Sequence, residues 1–188
     1  NGSSPVALAK GDKHLFDVVG NIPYNITAPI LRKFLGTPRL PRTDAARLVR
    51  GPRRMTLLLD RAVAAVLAAR PPSMSIRTIA AQAYANVRVE RDNIPPSAFV
   101  PPPTVSSAIV VLETLKKPLI SAERAEAFFR LVRAGFSQKR KTLANALSAT
   151  YRIAPADAAE NLRRADIDPS RRAQTLSIEE WRRLIGVW

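Results

Sequence analysis

The 188-residue sequence carries 30 lysine and arginine residues against 15 acidic residues, and its formal net charge is +15. It has no cysteine and a single histidine, so disulfides and thiolate metal sites are excluded and we expect no metal. No apolar run approaches the roughly 18 residues that a membrane-spanning helix needs. The positive charge favours a polyanionic partner, by attraction and by release of counterions. We expect nucleic acid to be that partner, ahead of a membrane surface.

The first predicted element is a short buried strand at residues 16–19, which is followed by Gly-Asn-Ile-Pro-Tyr at residues 20–24. Thr27 can begin a helix, because the apolar residues between 30 and 35 follow it at helical spacing. Residues 36–54 are rich in proline, arginine and glycine, and this composition predicts a loop.

The middle of the sequence alternates strands and helices. Apolar runs and alternating patterns predict strands at residues 55–59, 87–90 and 107–112, and helical spacing predicts helices at 62–69 and 76–84. The proline-dense segment at residues 94–103 is predicted to be extended, because its prolines fix the backbone and hold Phe99 and Val100 in place. A sheet covered by helices is the expected architecture of this part.

From Ser121 onward every predicted element is a helix, so we place a domain boundary between residues 118 and 119. The first of these helices carries an apolar stripe, which consists of Ala125, Phe128, Val132 and Phe136. Such spacing is typical of a helix that buries one face. The sequence therefore predicts an α/β part at residues 1–118 and a small all-helical domain at 119–188.

Two local patterns mark the helical part. Residues 136–143 are predicted to form a helix that turns Phe136 and Leu143 to the core and exposes at least two residues of its basic triplet, Lys139, Arg140 and Lys141. Farther on, Ser177 and Glu180 have the spacing of a capping box, with Leu176 and Trp181 placed as its hydrophobic staple.

The Asn-Ile-Pro-Tyr sequence is suited to handling an amino group on a flat base. The Asn21 carboxamide oxygen and the Ile22 carbonyl, held out by Pro23, can each accept one N–H of an adenine amine. The Tyr24 ring can stack on the same base. This arrangement suits methyl transfer to the amine. The same short motif also fits an ordinary strand followed by a proline turn, with Tyr24 in the core.

Four separated segments resemble the ribosomal RNA adenine N6,N6-dimethyltransferase family. Residues 21–31 read Asn-Ile-Pro-Tyr-Asn-Ile-Thr-Ala-Pro-Ile-Leu, which resembles the family's target-base motif. Residues 99–108 resemble its Phe-x-Pro-x-Pro-x-Val-Asp-Ser-Ala segment, 136–143 its Phe-x-Gln-(Arg/Lys)-Arg-Lys-Thr-Leu segment, and 172–180 its closing Arg-Ala-Glu-x-Leu-Ser segment. The order and spacing agree, although Ser106 and Gln174 replace a usual Asp and Glu. The last two segments are closest to the small-subunit branch.

The resemblance implies the fold and the reaction. The fold would be α/β: the C-terminal part of a Rossmann-like methyltransferase sheet, followed by a small all-helical RNA-binding domain. Residues 1–118 would be the second half of an S-adenosylmethionine-dependent methyltransferase domain, on the side that receives the adenine. The reaction would be methyl transfer to N6 of adenosines in small-subunit ribosomal RNA, in the cytoplasm or an organelle, with a role in ribosome biogenesis.

The resemblance also assigns roles to residues. The catalytic set is Asn21, Ile22, Pro23 and Tyr24. Tyr24 and Phe99 would stack on the target base; for Phe99 we favour this role over that of a staple between proline turns. Ribosomal RNA, or its precursor, is the implied partner of a monomer that needs no membrane. The basic residues expected to contact it are Lys139, Arg140, Lys141, Arg133, Arg163, Arg164, Arg171 and Arg172.

The cofactor half of the family's site is the main departure. The family begins its S-adenosylmethionine site with a glycine-rich loop and an acid for the ribose, whereas this sequence contains no Gly-x-Gly pair. Only Asn21 is carried over as a cofactor-binding residue. We expect the chain to lack the N-terminal cofactor-binding half and to be inactive alone.

Three other functions fit the same features. A non-catalytic RNA-binding factor for ribosome assembly would carry the same basic surface. A resistance methylase that acts on large-subunit RNA would share the target-base motif. A mitochondrial transcription factor derived from the family is disfavoured by the intact Asn-Ile-Pro-Tyr sequence.

Overall fold

The computed structural model describes residues 16–23, 26–35 and 52–188. The described residues form a four-stranded sheet of β1 (Phe16–Asn21), β2 (Pro52–Asp60), β3 (Ala85–Ile94) and β4 (Ser107–Thr114), in the order β1-β2-β4-β3. β1 is parallel to β2, whereas β4 is antiparallel to both β2 and β3. The ends of β1, β2 and β3 therefore lie beside the start of β4. We call this side of the sheet the carboxyl edge; its residues are Asn21, Asp60, Ile94 and Ser107.

The helices of this part are α1 (Thr27–Leu35), α2 (Arg61–Ala68) and α3 (Ile76–Gln82). The Asp60 carboxylate caps α2 by accepting a hydrogen bond from the Ala62 N–H at 2.6 Å. Ser75 and Thr78 form a capping box at the start of α3. Such side chains satisfy N–H groups that the first turn of a helix leaves without partners, so α2 and α3 each begin directly after their capping residue.

The sheet core follows the period of a β-strand. Met55, Leu57 and Leu59 alternate along β2 and are fully buried. On β4, Val110 and Leu112 lie opposite Leu57 and Met55 and are also fully buried. Side chains two residues apart share one face of a strand, so this spacing places one apolar layer on one face of the sheet.

The rest of the chain is helical: α4 (Ala122–Gly135), α5 (Leu143–Tyr151), α6 (Pro155–Arg164) and α7 (Ile178–Val187). Ala125, Phe128 and Val132 of the predicted stripe are buried on α4. The predicted capping box is confirmed, because the Glu180 N–H donates to the Ser177 hydroxyl and the Ser177 N–H donates to the Glu180 carboxylate.

The core is continuous across the predicted domain boundary. The Leu119 N–H donates to the Ala83 carbonyl at 3.0 Å, and the Met74 N–H donates to the Gln174 carbonyl at 3.0 Å. Tyr84 of the first part stacks on Phe129 of α4, with ring centroids 6.4 Å apart. The division at residue 118 therefore stays a prediction. In the described residues, the parts on either side of it contribute to one hydrophobic cluster.

Three element predictions need correction. The segment predicted to be extended at residues 94–103 contains a short 3-10 helix at Pro96–Ala98, which the Ala98 N–H closes by donating to the Pro95 carbonyl at 3.0 Å. β2 begins at Pro52, so the predicted loop at 36–54 includes the start of a strand; residues 36–51 lie outside the described part. The predicted helix at 136–143 is a turn between α4 and α5. The Ser137 N–H and hydroxyl both donate to the Ala134 carbonyl, which ends α4. Thr142 then begins α5, because its hydroxyl accepts the Asn145 N–H.

Gly135 is where α4 packs most closely on the helical core. A Cβ atom added there would lie 2.5 Å from Cη2 of Trp181 and 2.8 Å from Cδ1 of Leu143. Both neighbours are fully buried, so they have little freedom to move away.

We therefore expect Gly135→Ala to lower the free energy of unfolding by about 1–3 kcal/mol, as overpacked cores do. Gly186→Ala is the matched control, because a Cβ atom at this helical glycine meets nothing within 4 Å. Alanine is the better helix former, so the control should be neutral or stabilising. Chemical denaturation of both variants measures the difference, and equal stabilities would contradict the packing argument.

Candidate active site and nucleic-acid interface

Asn21 ends β1 at the carboxyl edge, and its side chain is exposed. The next residue is anchored on both its backbone and its side chain. The Ile22 N–H donates to the Leu58 carbonyl of β2 at 3.1 Å, and the Ile22 side chain is buried in the core. The Pro23 carbonyl then accepts the Ile26 N–H at 3.0 Å. The chain around Asn21 is therefore held on the sheet while its carboxamide stays accessible.

Thr27 begins α1 as the sequence predicts, but its hydroxyl does not cap the helix. It opens α1 just after the Asn-Ile-Pro segment and is 5% exposed. Its hydroxyl is buried and has no hydrogen-bond partner in the described part of the chain. Tyr24, the predicted stacking residue of the same motif, lies outside the described residues.

Phe99 lies in the segment between β3 and β4, residues 95–106, which we call the Phe99 loop. The Phe99 N–H donates to the Pro96 carbonyl at 3.1 Å, and the ring is half-buried. Its neighbour Val100 is 99% exposed. The loop leaves the sheet from β3 and rejoins it at β4, both at the carboxyl edge. These strands lie about three and two strand spacings, or roughly 14 and 10 Å, from β1. The topology thus brings Phe99 to the same edge as Asn21.

An ion pair also lies at this edge. The Arg61 guanidinium at the start of α2 donates to both carboxylate oxygens of Asp92 near the end of β3. These hydrogen bonds hold the pKa of Asp92 below its ordinary value. The two residues are 31 positions apart in the sequence, and their pattern carries no signal that would pair them.

The basic triplet occupies the turn between α4 and α5. Lys139, Arg140 and Lys141 are all exposed. Leu143 is fully buried, and half-buried Phe136 stacks on Trp181 with centroids 5.8 Å apart. The predicted orientation of these side chains is therefore confirmed, although the segment is a turn. Anchors on both sides of the triplet hold it at the surface.

The other basic candidates differ in what they contact. Arg133, Arg164 and Arg172 are exposed, and the Leu143 N–H donates to the Arg171 carbonyl at 2.7 Å, which places Arg172 near the triplet. Arg163 is exposed and pairs with Glu160 at 3.3 Å.

Arg171, by contrast, has internal partners. Its guanidinium donates to both carboxylate oxygens of Glu180 and to the carbonyl of Thr175. Burial opposes ionisation of Glu180, but the hydrogen bonds from Arg171 and from the Ser177 N–H outweigh it and leave the pKa of Glu180 below its ordinary value. Arg171 is predicted to contact RNA, but its guanidinium binds Glu180 in the first turn of α7.

The described residues hold no group of acidic or histidine side chains that could bind a metal ion. Nor does that part of the chain contain a helix long and apolar enough to cross a membrane. The carboxyl edge presents the exposed Asn21 amide, the half-buried Phe99 ring and the exposed Arg61–Asp92 ion pair. Groups of this kind can position a planar substrate by hydrogen bonding and stacking.

Comparison with known proteins agrees with the resemblance of the four segments. The chain is 35% identical over 186 residues to a ribosomal RNA small subunit methyltransferase A from Dehalococcoides mccartyi, covering 99% of this chain and 60% of the relative. A protein of the same description from Anaeromyxobacter sp. is 40% identical over 177 residues, covering 93% and 58%. The chain therefore spans about 60% of the length of these curated relatives.

The fold prediction is also confirmed. The crystal structure of the 23S rRNA methyltransferase ErmE superposes with a TM-score of 0.69 at 22% identity, and the match covers 95% of this chain and 67% of that structure. A likeness at this identity establishes the α/β, Rossmann-like architecture. A family model described as ribosomal RNA adenine dimethylase matches residues 6–187. This match covers nearly the whole chain, which therefore belongs to the ribosomal RNA adenine dimethylase family.

Proposed function

We propose that the protein containing this chain transfers methyl groups from S-adenosylmethionine to N6 of adenosines in small-subunit ribosomal RNA and yields dimethyladenosine. The observation that carries the proposal is the placement of Asn21. Its carboxamide is exposed at the end of β1, while Ile22 is fixed to β2 and buried. Ligands of open α/β sheets bind outside the carboxyl ends of the strands, so this is where a target base would lie.

The residues of this chain fit one side of a cofactor site. Asn21 offers an exposed amide at the carboxyl edge, and an amide can form a hydrogen bond to the cofactor or to the amine beside it. The sequence offers no Gly-x-Gly loop to approach a nucleoside. Asn21 would therefore line the rim of the site, on the side of the target amine. When bound, S-adenosylmethionine supplies a methyl group that is activated by its positive sulfur.

Asn21 and Ile22 would prepare the adenine amine for attack. The nitrogen lone pair of this amine is delocalised into the ring, so the amine is a poor nucleophile. If Asn21 Oδ1 and the Ile22 carbonyl each accept one N–H, the nitrogen becomes more pyramidal and its lone pair points at the methyl group. Orientation of this kind can contribute several kcal/mol to lowering a barrier. The amine proton becomes acidic once the methyl is attached, so no strong base is needed.

Phe99 and Tyr24 would hold the ring of the base. Stacking on an aromatic side chain contributes about 1–3 kcal/mol per base, and the half-buried Phe99 ring lies in the loop at the same edge as Asn21. Pro23 would keep the carbonyl before it directed at the amine. The pocket must also admit an amine that already carries one methyl group, because the product is dimethylated.

The helical part would bind the RNA through its phosphates and its shape. The exposed triplet Lys139, Arg140 and Lys141 leads this surface, and Arg172 extends it. Arg133, Arg163 and Arg164 are further contacts of the proposed surface. Small-subunit RNA, or its precursor, is the proposed partner because the curated relatives carry that description. The site of action would then be the compartment where ribosomes are assembled, with the protein acting as a monomer.

A methylation assay tests the proposal directly. The protein is expressed from the complete reading frame that contains this chain and is incubated with labelled S-adenosylmethionine and either small-subunit or large-subunit particles that lack the modification. We expect dimethyladenosine in small-subunit RNA alone. Labelling of large-subunit RNA would instead favour the resistance methylase. Binding without any labelling would favour the non-catalytic assembly factor.

A further inference from the structure

Arg61 contacts both ends of the Phe99 loop. At one end, its guanidinium Nε and Nη2 donate to Oδ1 and Oδ2 of Asp92 at 2.8 and 3.0 Å. At the other end, its backbone N–H donates to the carbonyl of Ser106 at 3.0 Å. Asp92 lies just before the loop and Ser106 is its last residue. A single residue at the start of α2 therefore bridges the two stems.

The backbone departs from regular β-strand geometry at the Asp92 stem. Pairing between β3 and β4 is irregular from Arg91 to Ile94. Asn93 has a φ of 54°, in the left-handed region that asparagine tolerates better than most residues. The Asp92 carboxylate also accepts the Asn93 N–H at 2.8 Å. The Asp92 carboxylate thus binds both the Arg61 guanidinium and the backbone N–H of Asn93, where β3 becomes irregular.

We propose that Arg61 is a positioning residue, which fixes both stems of the Phe99 loop and so places the Phe99 ring against the target base. The inference rests on the proposed methyl transfer for its catalytic consequence, but the bridge itself concerns the loop alone. Both side chains are 54% exposed, and exposed ion pairs contribute little to stability. The pair would affect the reaction rate more than the stability, because a displacement of a substrate-positioning group by about 1 Å can cost roughly 100-fold in rate.

The chain provides a matched control for this pair. Arg53 and Asp17 form the same two-pronged contact, Nε to Oδ1 at 3.2 Å and Nη2 to Oδ2 at 2.9 Å. They lie at the starts of β2 and β1, the side of the sheet opposite the carboxyl edge. Arg53→Gln thus removes the same type of exposed contact and the same charge without touching the loop.

The experiment compares Arg61→Gln, Asp92→Asn and Arg53→Gln in the protein made from the complete reading frame. Hydrogen–deuterium exchange of peptides that cover residues 95–106 reports the mobility of the loop. Kinetics on small-subunit particles separate kcat from KM. We expect the first two variants to exchange faster in the loop and to lower kcat about tenfold, with RNA affinity and melting temperature unchanged. Arg53→Gln should match the unmodified protein in every measurement.

Several results would overturn the inference. Unchanged loop exchange in Arg61→Gln, which removes the contact to Asp92 and keeps the backbone hydrogen bond to Ser106, would show that the Arg61 side chain does not hold the loop. Weaker RNA binding with a flatter salt dependence in Arg61→Gln, and not in Asp92→Asn, would show that Arg61 contacts a phosphate. Faster loop exchange without any methylation by the unmodified protein would support the bridge and refute the proposed function, so the two failures are distinguishable.

Discussion

Replacing Asn21 with alanine is expected to reduce methyl transfer by at least 100-fold, because the variant loses an acceptor aimed at the reacting amine. Removal of one such polar group from an active site typically costs about 10²–10³ in rate. Asn21 is exposed at the end of β1, and its side chain would contact one amine rather than the RNA backbone. RNA affinity should therefore stay within about threefold, a change of less than roughly 0.7 kcal/mol in binding free energy. The loss should appear in kcat.

Asn86→Ala is the matched control for this measurement. Asn86 is an exposed asparagine of β3, and it pairs with Glu113 at the end of the sheet away from the carboxyl edge. It should leave both kcat and RNA affinity unchanged. Single-turnover methylation and equilibrium RNA binding are measured on both variants. If Asn21→Ala lost binding and rate in equal proportion, or unfolded at a lower temperature, Asn21 would be a structural residue of the turn.

The basic triplet should control RNA affinity and its salt dependence. Lys139, Arg140 and Lys141 are exposed, and the turn that carries them is anchored by half-buried Phe136 on one side and buried Leu143 on the other. If each meets a phosphate, replacing all three with alanine should flatten the slope of log K against log salt by about 0.7–0.9 for each phosphate that is no longer neutralised. Stability should change by less than about 0.5 kcal/mol, as exposed substitutions usually do. Binding titrations at several salt concentrations provide the slope.

A second triple variant removes the same charge elsewhere. Arg77, Lys116 and Lys117 are exposed on the α/β part, so replacing them with alanine lowers the net charge equally. We expect this control to retain most of the affinity and the full salt slope. Equal losses of affinity in the two variants would mean that net charge alone attracts the RNA. An unchanged slope in the first variant would move the RNA surface toward Arg163 and Arg172.

Much of the local structure was predictable because it depends on short-range patterns. The start of α1 at Thr27 and the strand that begins at Ser107 follow from apolar spacing, although this strand extends to Thr114, two residues beyond its predicted end. The Ser177–Glu180 capping box follows from hydrogen bonds within one turn. The helix predicted at residues 136–143 failed for a local reason as well. Ser137 can hydrogen-bond to the carbonyl of Ala134, and this alternative to helix continuation is not visible in the apolar period.

The candidate site divides in the same way. The Asn-Ile-Pro-Tyr sequence predicts a base-binding turn from its residue types, and the four matching segments identify the family. Contacts between distant residues have no such signature. The Arg61–Asp92 pair and the Arg171–Glu180 pair depend on which arginine of a basic chain faces which acid. The partner of each arginine depends on how the helices pack in the folded chain, and this packing cannot be inferred from the neighbouring residues in the sequence.

The sequence by itself determined the family, the position of the Asn-Ile-Pro-Tyr motif, the type of most elements and the basic character of the chain, because these depend on residue identity and on spacing within a few turns. Only the tertiary structure decided the strand order β1-β2-β4-β3, and with it the meeting of Asn21, Phe99 and Arg61 at one edge. It also separated exposed Lys139–Lys141 from the internally paired Arg171. Long-range pairing sets these features, and pairing between strands far apart in the chain leaves no mark on local periodicity.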